Sequence, residues 1–386
     1  MKITVNKKHL IDELTIAKKI TSGAKHLAIL HNAVLTITPQ SVYIETTDLE
    51  NARVGIIGEN PYRIYNTPKY HPSILVPVEP FMKAVKAIPK KCESVSLEIL
   101  ENGNFKINDR ITIECGQSLD DYPETPDFPH RGFAVQDFPK SQPRGFKVFD
   151  SKILSQVLAS RSGGKDERRS HIIGLYLDFK SGEVAGTDGN RLHISKMLNG
   201  HGAGLYEEGV IIPRTFANLL MSPQLKNDIG NLTITDQYAF VETGTNGFVY
   251  TRLLEGEYPD YHSIWRESSF TNVLSVQDKQ ILIESIKEAS AIMSQDYWSI
   301  NFNLGSGFEI ASVNPEIGKF DMVLENEHYA YVGSDIDAWF NPSMLIAAIN
   351  ATEDKGVNAY FRDAENPIWI QSNDRSFNAF VMPIRV

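Results

Sequence analysis

A chain of 386 residues, of which 42% are hydrophobic and 22% charged, is long enough for two or three domains that each bury a core. No apolar run of signal-peptide length opens the chain, no window resembles a membrane span, and Cys92 and Cys115 are the only cysteines, so we expect a cytoplasmic protein without a disulfide framework. The net charge of −10 argues against a protein coated in basic residues, although a local basic stripe remains compatible with DNA contact.

Three segments of the chain repeat one order of elements. Each begins with a short amphipathic helix, in which apolar residues recur at helical spacing around Leu10, Ile153 and Ile281. Each continues with a pair of alternating strands around a tight turn and then a polar bend. In the third copy, the alternation predicts that the first of these strands begins at Trp298. The turns lie at 39–41, 180–182 and 305–307, and the bends at 47–48, 187–189 and 314–315.

A second helix in each copy is predicted to begin at a proline. Pro77, Pro213 and Pro342 each follow a strand and precede an apolar helical pattern, and proline is tolerated where the first helical N–H groups lack partners. The intervals between these prolines are 136 and 129 residues. The intervals from Leu10 to Leu154 and from Leu154 to Leu282 are 144 and 128 residues. Similar intervals between corresponding prolines and between corresponding leucines are hard to obtain by chance, so we predict a repeated module.

The repeat predicts an α+β fold of three modules, each with two helices packed on antiparallel sheets. A cluster of prolines between 123 and 143 indicates an extended linker or loop. This segment explains why the interval from the first copy to the second is longer than the interval from the second to the third. We place the three domains at 1–143, 144–266 and 267–386. We call them the first, second and third modules.

Motifs for enzymatic chemistry do not emerge. The ten histidines form no HExxH or Cys/His metal spacing, and no GxSxG nucleophile elbow is present. The GGK sequence in the loop 162–171 lacks the Ser or Thr and the first Gly of a phosphate-binding loop. The glycines at 200–204 lack the strand–helix context of a dinucleotide loop. We therefore expect no enzyme and no cofactor.

Several short sequence strings, taken together, are specific enough to indicate a protein family. They are MKITVNKKHLIDEL at 1–14, TTDLE at 46–50, GTDGNRLHIS at 186–195, GVIIPRTFANLL at 209–220, RLLEGEYPDY at 252–261 and VMPIRV at 381–386. In this order and spacing, the chain resembles the bacterial DNA sliding clamp, the β subunit of the replicative DNA polymerase, over its whole length.

The resemblance implies a function and an assembly. Two subunits would join head to tail, so that six domains close a ring with helices lining the hole and sheets forming the outer wall. Duplex DNA would run through the hole without base readout, and the protein would act as a processivity factor. The implied partners are the replicative polymerase, an ATP-driven clamp loader and clamp-binding repair proteins.

Basic residues on the predicted helices and loops would face the DNA phosphates. An ordinary solvated helix face, or a plain flexible loop at 162–171, is the alternative. The residues expected at DNA are Lys83, Lys86 and Arg214 on helices and, by the resemblance, Lys25, Lys165, Arg168, Arg169 and His171 in loops.

The resemblance also implies a peptide groove between the second and third modules, for a short extended peptide with a Gln and later Leu or Phe anchors. Simple core packing is the alternative for Leu192, Val381 and Met382. Asn190, Ser263, Met344 and Trp298 depart from the family's usual residues and bear on the peptide preference. The implied groove comprises Ile172, Thr187, Gly189, Asn190, Arg191, Leu192, Pro259, Ile264, Asn341, Met344, Phe380, Val381, Met382, Pro383, Ile384 and Arg385.

For the ring interface, the family pattern pairs the edge strand of the first module with the first helix of the third. By position this sets Ile111 and Ile113 against Ile292 and Met293, with ordinary core packing as the alternative. A second functional hypothesis is a three-domain scaffold that binds proteins without encircling DNA. Such a scaffold would share the modules but need no closed ring and no basic lumen.

Overall fold

In the computed structural model, helices and antiparallel strands follow one another as the α+β prediction requires. The structure describes residues 1–23, 27–58, 72–123, 146–160, 172, 174–198, 208–244, 247–266, 270–296 and 298–385. No helix among these residues is long and apolar enough to cross a membrane.

The first module contains β1 (Lys2–Asn6), α1 (Lys7–Thr21), β2 (Asn32–Ile37), β3 (Ser41–Thr47), β4 (Asn51–Gly58), β5 (Ser73–Pro77), α2 (Val78–Ala87), β6 (Ser94–Ile99), β7 (Phe105–Ile107) and β8 (Ile111–Ile113). The second contains α3 (Ser151–Leu158), β9 (Leu175–Asp178), β10 (Glu183–Thr187), β11 (Arg191–Lys196), β12 (Val210–Ile212), α4 (Arg214–Leu220), β13 (Ile229–Ile234), β14 (Tyr238–Thr243), β15 (Gly247–Arg252) and α5 (His262–Arg266). The third contains β16 (Asn272–Val276), α6 (Lys279–Ala289), β17 (Ile300–Leu304), β18 (Phe308–Asn314), β19 (Gly318–Val323), β20 (Tyr329–Val332), β21 (Ile336–Phe340), α7 (Pro342–Ala351), β22 (Val357–Phe361), β23 (Ile368–Gln371) and β24 (Phe377–Val381).

The strand order repeats three times, which confirms the predicted repeat of the fold. Four strands between the two helices of each module form the orders β5-β2-β3-β4, β12-β9-β10-β11 and β21-β17-β18-β19, while β20 of the third module pairs with β16 instead. The strands after the second helix form β6-β7-β8, β13-β14-β15 and β22-β23-β24. Each of these triplets adds a segment from the start of its module: β1, a bridge from Phe146 to Leu232, and β16.

Neighbouring modules share continuous sheets. Strand β15 pairs antiparallel with β4, and Thr251 stands opposite Asn51. Strand β24 pairs in the same way with β11, and Phe377 stands opposite Ser195. The last strand of one module therefore supplies the hydrogen-bond partner for the end strand of the four-stranded order of the module before it.

Contacts divide the described chain into two units, each built around one shared sheet. The first unit contains residues 1–151 and 215–253, with the seven-stranded sheet β13-β14-β15-β4-β3-β2-β5. The second contains residues 152–214 and 254–386, with the nine-stranded sheet β12-β9-β10-β11-β24-β23-β22-β16-β20. The second module thus contributes to both units, and the division into three domains stays a prediction of the repeat.

The first helix shows how the apolar pattern determines the fold. Asn6 caps α1 by accepting the His9 N–H at 3.1 Å, and such caps satisfy one of the unpaired donors at a helix start. Leu10 and Leu14 are fully buried, as is Phe81 from α2. Burial of one such side chain contributes about 1.5–3 kcal/mol, so the stripe fixes which face of α1 meets the sheet.

The predicted start of the first strand after α6 was wrong. Trp298 lies before β17, which begins at Ile300, and 43% of its surface is exposed. The alternation with Ile300 and Phe302 placed it in the strand, but nothing in the pattern distinguishes a strand residue from the one that leads into it.

A buried ion pair fastens α1 to β4 in the first unit. Arg53 Nη2 contacts Glu13 Oε1 at 2.7 Å, and the two side chains are only 4% and 13% exposed. Arg53 also donates to the Thr243 hydroxyl. A Cβ on Gly55 would lie 1.9 Å from Glu13 Oε2, so glycine at this position makes room for the carboxylate.

Substitution of Glu13 by Ala should therefore destabilise the first unit. Removing one partner of a buried pair leaves an uncompensated charge, and we expect the free energy of unfolding to fall by about 3 kcal/mol in urea denaturation. The exposed Glu79, which contacts Lys83 at 3.1 Å, gives the matched control, and Glu79→Ala should cause no measurable loss. Equal effects of the two variants would contradict this prediction.

A buried histidine lies in the second unit between α3 and the sheet. His193 is fully buried, and its Nδ1 is 2.8 Å from the Gln156 carbonyl, so Nδ1 carries the proton and donates. Its Nε2 has no hydrogen-bond partner among the described residues. Burial, together with Arg191, lowers the pKa of His193 to about 4, against the opposing effect of the Gln156 hydrogen bond.

This histidine should make the protein less stable as the pH falls. Protonation is easier in the unfolded chain, where the pKa is about 6.5, so stability is complete above that value and declines toward pH 4. We expect a loss of about 2 kcal/mol in the free energy of unfolding between pH 7 and pH 4.5. His193→Leu should lower stability at pH 7 but flatten this dependence; a variant that keeps the wild-type slope would exclude His193 as its source.

Candidate partner-binding groove and DNA-facing residues

The two segments predicted to form a groove lie side by side in the structure. On the seam between β11 and β24, Arg191 stands opposite Val381 and Leu192 opposite Phe380. Beyond the strands, the Met382 N–H donates to the Asn190 carbonyl at 2.9 Å. Backbone pairing therefore brings together residues that are far apart in the sequence.

The bend before β11 is held by its own side chains. Thr187 Oγ1 donates to the Arg191 carbonyl at 2.6 Å and accepts the Gly189 N–H at 3.0 Å. Asp188 Oδ1 accepts the N–H groups of Asn190 and Arg191. Gly189 has a φ of 88°, in the left-handed region that glycine adopts without strain. Gly189 and Asn190 are thereby exposed at the edge of the predicted groove.

Arg191 holds this bend in place. The residue is 7% exposed, and its Nε donates to the Ser160 carbonyl at 2.7 Å and to Asp188 Oδ2 at 2.9 Å. A charged group buried to this degree requires such partners. Its guanidinium is therefore engaged in the fold, and the sequence-based assignment to the groove overlooked that role.

The third module contributes the start of α7 and the carboxyl-terminal segment. Asn341 caps α7 by accepting the N–H groups of Ser343 and Met344 at 2.9 and 3.2 Å. Met344 is half-buried against the third-module core. The Ile384 N–H donates to the Trp339 carbonyl at 2.7 Å, which fastens the chain end to β21.

Exposure separates the predicted groove residues into two groups. Leu192, Phe380 and Val381 are almost fully buried, which is the core packing considered for Leu192 and Val381. Met382 and Ile264 are 41% and 37% exposed. Pro259 and Arg385 are also exposed, and Ile172, Thr187, Pro383 and Ile384 are half-buried. Any ligand would touch the second group, while the first supports it from below.

The residues predicted to face DNA are only partly described. Lys83 and Lys86 are exposed on α2, and Arg214 is half-buried at the start of α4. Lys25, Lys165, Arg168, Arg169 and His171 lie outside the described residues.

Two other helical lysines stabilise helix ends. Lys7, which begins α1, donates to the carbonyl groups of Ile88 and Pro89 at the end of α2. Lys279, which begins α6, donates to the Thr352 carbonyl at the end of α7. A cation suits the carboxyl end of a helix, where carbonyl groups lack partners. These two ammonium groups are therefore engaged within the fold and less available to phosphates.

The predicted interface residues lie at two different places in their modules. Ile111 and Ile113 are on β8, which is the end strand of its sheet among the described residues. Ile113 is largely buried, and Ile111 packs against the core of the first module. Ile292 and Met293 follow α6 and are half-buried.

A polar cluster beside the predicted groove was missed by the sequence-based prediction. Asp178 and Glu183 face each other across the β9–β10 hairpin, and Tyr261 Oη lies 3.0 and 2.9 Å from their carboxylates. Burial raises the pKa of Tyr261, and the two carboxylates raise it further. Hydrogen bonds from Ser181, Tyr261 and Lys180 outweigh burial and hold the pKa of Asp178 below its usual value.

His262 completes this cluster. Its Nε2 lies 3.5 Å from both Asp178 Oδ2 and Glu183 Oε2, and its ring packs on Tyr261 with 4.2 Å between ring centroids. The only signal in the sequence was a hairpin with an acid on each strand, which is too common to be informative.

The described residues offer a single group of side chains that could hold a metal ion. Within the described part of the chain, only Glu325, Glu327 and His328 place three potential ligand atoms within 4.8 Å of one another. Both glutamates are exposed, and acidic side chains often cluster in this way without an ion. The group does not indicate a metal centre.

Known proteins resemble this chain in sequence and in fold. Residues 1–140 match the family described as DNA polymerase III beta subunit, N-terminal domain. The beta sliding clamps of Pseudomonas aeruginosa and Escherichia coli are 23% and 22% identical, and each alignment covers all of both chains. Among solved structures, the sliding clamp of Pseudomonas aeruginosa bound to griselimycin matches all of both chains with a TM-score of 0.82 at 20% identity.

The agreement extends from the first module to the end of the chain. A shared fold at full coverage, with full-length similarity to curated clamps and a family match over the first module, leaves no segment unaccounted for. Over its full length, the chain is therefore similar in sequence and fold to bacterial DNA sliding clamps.

Proposed function

We propose that this chain is a DNA polymerase processivity factor: a homodimeric ring that encircles duplex DNA and tethers the polymerase to it. The relatives of full length are beta sliding clamps, and the fold is theirs. A scaffold that binds proteins without encircling DNA is not favoured.

The observation that carries this proposal is the position of two end strands. Within each unit, the last strand of one module pairs with the end strand of the four-stranded order of its neighbour, as β15 does with β4 and β24 with β11. By the same equivalence, the partner of β8 would be β19. Both are end strands of their sheets among the described residues, so pairing β8 of one copy with β19 of another would continue the pattern head to tail.

The surface beside β19 supports this pairing. Val323 and Ile317 are 65% and 64% exposed, and Val313 on β18 is 38% exposed. Exposed apolar groups along an edge strand promote association, so burial of this edge in a dimer would remove an aggregation hazard.

Contact with DNA would be loose and independent of base sequence. Exposed lysines such as Lys83 and Lys86 would face phosphates, while the acidic side chains that give the whole chain its net charge of −10 would face away. A closed ring needs no tight grip, because closure itself prevents escape and weak contacts permit sliding. Catalytic groups and a cofactor are not needed for such a task in the cytoplasm, and a separate ATP-driven loader would open the ring.

Partners would dock in the groove beside the β11–β24 seam. We propose that the replicative polymerase and clamp-binding repair proteins place an extended peptide across Met382, Pro383 and Ile264, over the buried base of Leu192 and Phe380. A methionine adapts to several ligand shapes, which suits a site shared among partners.

The ring predicts a particular behaviour on DNA. The protein should have a mass near twice 43.3 kDa in sedimentation or light scattering. After loading, it should remain on circular DNA and slide off the same DNA once it is linearised. A monomer, or equal retention on circular and linear DNA, would contradict the proposal.

The groove can be tested separately from the ring. Replacing both Met382 and Pro383 with Glu should abolish stimulation of the polymerase, because charges would have to be buried under the peptide, while the dimer should persist. Val332, which is 72% exposed on β20, provides the control, and Val332→Glu should leave stimulation unchanged. Loss of the dimer in the double variant would show that the groove is misplaced.

A further inference from the structure

The two acids of the β9–β10 hairpin form an unfavourable pair. Asp178 and Glu183 are directly opposite in the antiparallel register, and their side chains are only 13% and 12% exposed. Like charges in a directly opposed pair repel, and their partial burial weakens the screening by water. The pair therefore needs hydrogen-bond donors or positive charge close by.

Hydrogen bonds satisfy one acid better than the other. Asp178 Oδ1 accepts the N–H groups of Lys180 and Ser181. The Tyr261 hydroxyl lies within 3.0 Å of both carboxylates, but a phenol has one proton and can donate to only one of them at a time. The other carboxylate then receives no proton from Tyr261.

His262 lies where it can supply the missing charge. Its Nε2 is 3.5 Å from an oxygen of each acid, and a protonated imidazole would attract both at once. The titratable groups around its ring are Asp178 from β9, Glu183 from β10 and Tyr261. On β11, Lys196 stands opposite Glu183, and its side chain is exposed.

The same cluster connects to the groove through packing. The Tyr261 ring belongs to a buried apolar cluster with Leu192 and Phe380, which form the base of the proposed groove. Tyr258, at the start of this segment, stacks on Tyr176 with 4.7 Å between ring centroids. The segment continues into Ile264.

The groove wall depends on this anchor. Helix α5, which carries Ile264, has five residues, and a helix this short has little stability of its own. Its position must come from tertiary contacts, and the contacts of Tyr261 and His262 with the acid pair are those nearest its start.

We propose that Tyr261 and His262 are positioning residues for the partner groove: they clamp residues 258–264 onto Asp178 and Glu183 and thereby hold the wall that carries Pro259 and Ile264. The inference rests on the proposed function of the groove. Under this proposal, the partner peptide binds more tightly when His262 is protonated, since the charged ring holds both acids.

The test uses the full-length protein and a labelled, end-capped decapeptide with a Gln followed by Leu and Phe anchors and no titratable side chain. Fluorescence anisotropy at pH 6 and pH 8 gives the affinity. Wild type should bind more tightly at pH 6. His262→Gln should weaken binding by about tenfold at pH 6, as expected for loss of a charged contact, and should remove the pH dependence.

Two further variants separate positioning from a general loss of structure. His262→Arg carries a permanent charge and should bind at both pH values as wild type does at pH 6. Tyr261→Phe should bind more weakly at both pH values and keep the pH dependence. His328→Gln, at another partly exposed histidine next to acids, is the matched control and should match wild type throughout.

Unchanged affinity and pH dependence in His262→Gln would overturn the inference while leaving the groove in place. Failure of His262→Arg to bind, with its thermal unfolding unaltered, would also overturn it. A further outcome is that wild type binds no peptide at either pH, while the Met382 and Pro383 variant still loses polymerase stimulation. This result would contradict both the proposed peptide and this inference, but it would leave the docking surface supported.

Discussion

Every strand carries backbone N–H and C=O groups along both of its sides, and buried groups of this kind need hydrogen-bond partners. In this chain the requirement is met across module boundaries. Strand β15 satisfies the outer edge of β4, and β24 satisfies the outer edge of β11. The pairing gives each unit one large continuous sheet. Among the described residues, it leaves β8 and β19 as end strands, and these are the two strands that we propose to pair between copies.

The repeat is preserved in hydrogen bonding even where its residues differ. In the first module, Thr47 Oγ1 donates to the Asn51 carbonyl and accepts the Leu49 N–H, as Thr187 does with Arg191 and Gly189 in the second. Leu49 has a φ of 79°, which a non-glycine residue adopts at some cost. The geometry of the bend is thus retained while the side chain that it presents changes.

The second bend acquires a further role because of where the next module joins. Met382 binds the Asn190 carbonyl, and Phe380 lies opposite Leu192. The seam therefore creates a buried apolar base and surrounds it with exposed residues from both modules. Its wall at residues 258–264 rests on Asp178 and Glu183 through Tyr261 and His262, so electrostatics in one hairpin bear on the shape of the proposed groove.

The sequence by itself determined the modules and their helices. Apolar residues at helical spacing located α1, α3 and α6, and a proline near the start located α2, α4 and α7, because both signals depend on a few neighbouring residues. The resemblance carried by the local strings also predicted the groove segments. Neither could show that Val381 is buried in the core, that Arg191 is used to hold a bend, or that Lys7 and Lys279 stabilise the ends of helices.

Those outcomes were decided by the tertiary structure. Whether a lysine meets solvent or a carbonyl depends on which helix end lies beside it, and whether two acids need a third partner depends on the register of their hairpin. The clustering of Asp178, Glu183, Tyr261 and His262 follows from packing a distant segment against β9 and β10, and no local pattern records a contact of that kind.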